Sequence, residues 1–168
     1  EIRTELVSKG HVFSTQSDSE VVLHLYEELG ERCVERLRGM FAFAIWDEKR
    51  QRLFAARDRL GQKPLYYVQR GKELFFASEI KGLLAFDPTL AELDPEALDQ
   101  YLSLRIIASP RSMFQHIKKL PPAHALSFDT GNGLNISAYW TLHYEPKLQG
   151  SDADLVDQME QQIIESIR

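Results

Sequence analysis

Cysteine is nearly absent. The one residue, Cys33, excludes an internal disulfide framework and fits a reducing compartment. Long apolar runs are missing too: the longest, Met40 to Trp46, has seven residues, against the ~20 that a spanning helix needs. Positive charge is not in excess. Lys plus Arg is 20 and Asp plus Glu is 25, a net charge of −5, which argues against a general electrostatic grip on nucleic acid or on an anionic membrane. The chain opens Glu1-Ile2-Arg3-Thr4-Glu5, without the basic-then-apolar start of a secretory leader, so a cytoplasmic location is expected. No G-x-S-x-G elbow, G-x-x-x-x-G-K loop, dinucleotide fingerprint, internal repeat or low-complexity tract occurs. What is there is a chain of 168 residues, 43% of them hydrophobic, enough to build a core.

The organisation is mixed. Ser17-Asp18-Ser19-Glu20 has capping-box spacing, and Val21, Val22, Leu25 and Leu29 follow at helical intervals before Gly30. A short helical turn through Val34 and Leu37 ends at Gly39. Met40 to Trp46 is apolar on both alternating faces, which predicts a strand covered on both sides. Returning strands are predicted at 53–57, 65–68 and 74–77, giving an antiparallel meander with turns at 47–52, 58–63 and 69–72. Helices are predicted over 79–86 and from Asp94-Pro95-Glu96 onward, the latter with an apolar face of Leu98, Tyr101, Leu102 and Leu104 and a Leu93–Leu98 staple. A hairpin is predicted over 124–128 and 134–140 around Asp129 to Gly133, then a linker over 143–151. A final helix carries Leu155, Val156, Met159, Ile163, Ile164 and Ile167 as an apolar stripe.

Chemistry-bearing residues are few. His11, His24, His116, His124 and His143 are scattered, none in metal-ligand spacing with Cys33, and no metal site is expected. Cys33 beside Arg32 reads either as an activated thiol or as a small apolar side chain packed on a helix. Arg57-Asp58 at a strand end reads either as a contact for an anion or as a self-satisfying pair that fixes a turn. Asp18 has two readings as well. It caps a helix, or it leaves that task to Ser17 and offers its carboxylate to a ligand ammonium group.

Several segments, in order, resemble glutamine-hydrolysing asparagine synthetases. They are Phe13-Ser14-Thr15-Gln16-Ser17-Asp18-Ser19-Glu20-Val21, the stretch from Leu37-Arg38-Gly39 to Trp46-Asp47, and Ala56-Arg57-Asp58-Arg59-Leu60-Gly61-Gln62-Lys63-Pro64-Leu65-Tyr66-Tyr67. Phe76-Ala77-Ser78-Glu79-Ile80-Lys81, Leu93-Asp94-Pro95, Lys119-Leu120-Pro121-Pro122 and Tyr139-Trp140 continue the series. Gln62 and Ala123 depart from it, standing where the family usually has an apolar residue and a glycine.

The resemblance implies the latter part of a class II glutamine amidotransferase domain. Its fold would be α+β, an Ntn-hydrolase four-layer αββα sandwich with antiparallel sheets, incomplete at the N-terminus. It implies residues 1–145 as amidotransferase and 146–168 as the linker and first helix of an ATP-pyrophosphatase-type synthetase domain. Asp18 takes the place of the carboxylate that holds the α-amino group of glutamine. The family's nucleophile is an N-terminal cysteine with its own α-amino group as base. Residue 1 here is Glu, so that cysteine is expected upstream and the chain alone is expected to be inactive. ATP and Mg2+ are implied for the synthetase domain and none for this segment. Implied partners are glutamine, the downstream synthetase domain and a second copy in a homodimer, with no nucleic acid and no membrane. Two other readings stand beside it: a class II amidotransferase with a sugar-phosphate or specialised-metabolite acceptor, and a non-catalytic docking domain.

Overall fold

A computed structural model describes residues 1–167. Helix α1 (Ile2–Ser8) precedes α2 (Asp18–Leu29), a 3-10 turn and the short α3 (Cys33–Arg36). Strands β1 (Ala42–Asp47), β2 (Arg52–Arg57), β3 (Tyr66–Arg70) and β4 (Glu73–Ala77) follow, then α4 (Ile80–Phe86) and α5 (Pro95–Leu104). The chain continues through β5 (Lys118–Lys119), β6 (His124–Asp129) and β7 (Gly133–Ala138) to α6 (Asp152–Ile167).

The predicted meander is divided between two antiparallel sheets, ordered β1-β2-β6-β7 and β4-β3-β5. β2 takes β6 as its second neighbour, with Ala55 opposite Leu126. The turn ending at Pro64 carries the chain into the other sheet, where β3 pairs with both β4 and β5.

Alternation along the strands assigns the layers. Phe54 and Ala56 of β2 face the helices, packing with Leu6, Leu25, Tyr26, Cys33 and Val34. Ala55, between them, faces the other way and meets Leu65, Tyr67, Leu120 and Leu126 between the sheets. Val68 points from the far side of β3 to Leu83, Leu90 and Ile117. Helices, sheet, sheet and helix thus stack as an αββα sandwich, as expected.

Three expectations are corrected. The strand at 40–46 is not covered on both sides: β1 is an outermost strand, and packing between the sheets reaches Ala42 but leaves Ala44 and Trp46 open, Trp46 at 53% exposure. Leu98, Tyr101, Leu102 and Leu104 of α5 are exposed, and Ala97 alone on that helix is buried. Leu93 is exposed and pairs with Phe114 in an isolated β-bridge. α1, which no sequence signal marked, buries Leu6 at 1% exposure. No described helix is long and apolar enough to cross a membrane.

Candidate functional site

Asp18 is the first residue of α2, and Ser17 before it has the extended backbone of a cap, its hydroxyl accepting from the Ser19 amide at 3.2 Å. The cap is therefore filled without Asp18. The other half of the predicted capping box is different. Glu20 does not return to Ser17; its carboxylate accepts from the Ser14 amide at 2.6 Å, and from the Thr15 amide and hydroxyl at 2.7 and 2.6 Å. The Thr15 hydroxyl and Ser14 amide hold the Glu20 carboxyl down at about 2. Arg3 adds guanidinium bonds to the Thr15 and Ser17 carbonyls at 2.8 and 2.9 Å. The loop entering α2 is thereby fixed from both sides.

The Asp18 carboxylate is exposed and takes no hydrogen bond or ion pair among the described residues. It stands at one lip of an open cleft of about 470 Å³, with Ser19, Val22 and Leu23 on its side. β1 and the segment before it form the floor from Met40 to Ile45, and Lys63, Pro64 and Ser78 form the opposite lip. One carboxylate over an apolar floor, faced by polar groups, suits a small zwitterion with an aliphatic middle. A hollow of about 650 Å³ on the other side of Leu23 is less suited, because Asp47 within it already pairs with Arg50 at 2.7 Å and with the Tyr26 hydroxyl at 3.2 Å.

Arg57 and Asp58 fix the Lys63 lip, though not as a pair. Asp58, 1% exposed, accepts from the amides of Leu60, Gln62 and Lys63 at 3.1, 2.9 and 2.9 Å. Burial alone would raise its carboxyl, and these backbone donors outweigh it and bring the group below the ordinary value. Arg57 donates to the carbonyls of Lys63, Leu120 and Gly61. Each side chain serves backbone, and neither is offered to a ligand.

Cys33 is fully buried in the helical layer, and burial pushes its thiol up to about 12. It is the packed apolar side chain of the two readings. The histidines are less scattered than their spacing suggests: His11 and His24 meet, with Nδ1 atoms 3.1 Å apart. Sequence alone marked neither this encounter nor Lys63 and Ser78 as cleft residues. The signal for Lys63 was the Asp58 turn that positions it.

Residues 1–140 match the glutamine amidotransferase domain family. Asparagine synthetase [glutamine-hydrolyzing] 3 of Bacillus subtilis is 46% identical over 153 residues, covering 90% of this chain and 25% of the relative. Asparagine synthetase [glutamine-hydrolyzing] 1 of the same organism is 36% identical over 167 residues, covering 99% and 26%. The chain thus spans about a quarter of the length of these relatives. Among solved structures, the glutamine phosphoribosylpyrophosphate amidotransferase of B. subtilis superposes with a TM-score of 0.56 at 19% identity, over 84% of this chain and 26% of that one. That likeness shows the fold, an αββα sandwich of two antiparallel sheets.

Proposed function

The chain belongs to the glutamine amidotransferase domain family, and from that premise we propose that it forms the glutamine-holding part of a glutamine-hydrolysing asparagine synthetase. Asp18 is the residue that grips the substrate. The observation that carries this is the division of labour at the start of α2, where Ser17 caps the helix and leaves the Asp18 carboxylate free at the cleft. A free carboxylate there accepts charge-assisted hydrogen bonds from the α-ammonium of glutamine, and the apolar floor of β1 suits its methylenes. Hydrolysis would release ammonia for amidation of aspartate in a synthetase domain.

On this reading 1–145 is the amidotransferase portion and 146–168 the linker and first synthetase helix. The open apolar stripe of α6, with Val156, Met159 and Ile163 all more than half exposed, supports that division. ATP and Mg2+ act in the synthetase portion. The cleft described here does not fit them, since Asp18 is its one carboxylate and it has no Gly-rich loop. The protein would work in the cytoplasm, where the free Cys33 thiol stays reduced.

The test is Asp18→Asn in the full-length parent, assayed with glutamine and with free ammonia as nitrogen sources. Removing one charge-assisted bond costs ~1.5–3 kcal/mol, roughly a tenfold to hundredfold weaker hold on glutamine. The ammonia-driven rate and the melting temperature should barely move. Equal losses with both nitrogen sources, together with a lowered melting temperature, would return Asp18 to a structural role.

A further inference from the structure

Two histidines and a glutamate converge where the turn after α1 passes the flank of α2. Gly10, with φ of +95°, bends the chain so that His11 reaches the helix. His24 and Glu27, three residues apart, share one face of α2. His11 Nδ1 is 3.1 Å from His24 Nδ1, His24 Nδ1 is 2.8 Å from Glu27 Oε2, and the third edge, His11 Nδ1 to Glu27 Oε2, is 3.5 Å. Both imidazoles are mostly buried, with side chains 14% and 16% exposed, and Glu27 closes the group from the solvent side.

Hydrogen bonding alone serves this group badly. A carboxylate only accepts, so His24 Nδ1 must carry a proton toward Glu27. His11 Nε2 must carry one toward Glu28 Oε1, 3.0 Å away. The two Nδ1 atoms are then left to share a single hydrogen. His24 Nε2, meanwhile, is buried and without a partner among the described residues, its nearest carboxylate being Glu20 Oε1 at 3.9 Å. A buried ring nitrogen left in that state is unfavourable and calls for an explanation.

A cation among the three donors removes the shared hydrogen and leaves His24 Nε2 a donor that a small turn of the Glu20 carboxylate, 3.9 Å away, would satisfy. Of the observed edges, 2.8, 3.1 and 3.5 Å, the shorter two need to open by about 0.6 and about 0.3 Å to reach the ~3.4 Å between ligand atoms of a tetrahedral centre with bonds of about 2.1 Å. Both rings then ligate through Nδ1 and carry their protons on Nε2. In His11 that proton is already directed at Glu28, and in His24 it turns the orphan acceptor into a donor facing Glu20. A carboxylate behind each ligating imidazole is the arrangement that fixes tautomer and ring orientation at metal centres. Two imidazoles favour a borderline transition ion over Mg2+ or Ca2+.

We propose that His11, His24 and Glu27 bind one divalent first-row transition ion of the zinc class, with a fourth position open to water. None of the three lines the Asp18 cleft. The ion would clip the α1–α2 corner in place and would take no part in glutamine chemistry.

The test uses the tag-free chain, stripped with chelator and titrated with Zn2+ alone by calorimetry and with Co2+ by visible absorption. One equivalent should bind with micromolar or tighter affinity, raise the melting temperature and give the intense visible bands of four-coordinate cobalt. Glu27→Gln, at the surface, should weaken binding at least tenfold, and His11→Gln should abolish the cobalt bands. His24→Gln should abolish binding as well; should it fail to fold, the other two variants decide. His143→Gln, away from the group, should bind like the parent chain. Absence of saturable one-to-one binding would overturn the proposal, as would affinity unchanged in both Glu27→Gln and His11→Gln.

Discussion

The amide of Ala123 donates to the carbonyl of Asp58 at 2.9 Å, tying the entry to β6 to the turn that leaves β2. The Ala123 carbonyl in turn accepts from the Tyr139 amide at 2.9 Å, and the Tyr139 hydroxyl donates to the Arg57 carbonyl at 2.7 Å. Three distant stretches of chain meet in this knot. Ala123 stands in it with φ of 59°, in the left-handed region where a Cβ is strained.

Ala123→Gly should therefore stabilise the chain. A left-handed alanine costs ~1–2 kcal/mol, and glycine gives back ~0.5–1 kcal/mol through its unfolded-state freedom. The expected net gain is about 0.5–1 kcal/mol, a rise in melting temperature of roughly 1–4 °C for a chain of this size. Calorimetric melting of the two proteins side by side checks it.

Gly61→Ala should act in the opposite direction. Gly61 has φ of +66°, and a Cβ there would lie 2.8 Å from Pro122 Cγ and 3.0 Å from Arg57 Cζ. Left-handed strain and overpacking together predict a loss of ~2–4 kcal/mol. Urea unfolding should show a lower midpoint with an unchanged slope.

Asp58 predicts an acid limb in the stability profile. Its folded carboxyl titrates below the unfolded value of 3.8, because the Lys63, Gln62 and Leu60 amides outweigh the cost of burial. The folded state therefore holds fewer protons than the unfolded chain in that range. Its contribution is complete above the unfolded value and is lost as pH falls through the folded one. Asp58→Asn should lower stability at neutral pH by ~1.5–3 kcal/mol, through loss of bonds to a charged acceptor. It should also flatten the fall in midpoint below about pH 4, measured by urea titrations across that range.

Cys33 predicts inactivity toward glutamine by this chain. The thiol is buried, titrates at about 12 and lines no part of the Asp18 cleft. A thiol reagent should react with it only after denaturant is added. Desalted protein given glutamine should release no steady ammonia. Ammonia release that disappears in Cys33→Ala would show the thiol to be the nucleophile after all.

What the sequence made legible was short in range. The Asp94 carboxylate caps α5 through the Glu96 and Ala97 amides, and Asp129 closes its hairpin through the Gly131 and Asn132 amides. Each bond spans three residues or fewer, so spacing alone reveals it. Asp18 was legible as a choice between two roles, and the position of the Ser17 hydroxyl decided against the cap. Strand periodicity alone predicted one meander, and the two sheets entered only through the family resemblance, because nothing near β2 announces that β6 will be its neighbour. Periodicity marked Leu98 and Leu102 as one face of α5, but whether a face is covered depends on elements remote in sequence. His11 and His24 escaped for the same reason: their meeting depends on how α1 is set against α2.

The two lips of the cleft belong to different layers of the stack. Asp18 rides on a helical unit, with Arg3 of α1 bound to the loop that enters α2. Lys63 rides on the sandwich, its amide bound to Asp58, its carbonyl to Arg57, and Arg57 to Leu120. Between them lies a packed layer in which Leu25 and Tyr26 rest on Phe54, the tyrosine and phenylalanine rings stacked 5.5 Å apart. The width of the cleft is thus set by where the helices come to rest on the sheet. A change of volume at Phe54, which lies beneath the cleft and packs on Phe43 of its floor, would alter the span between its lips.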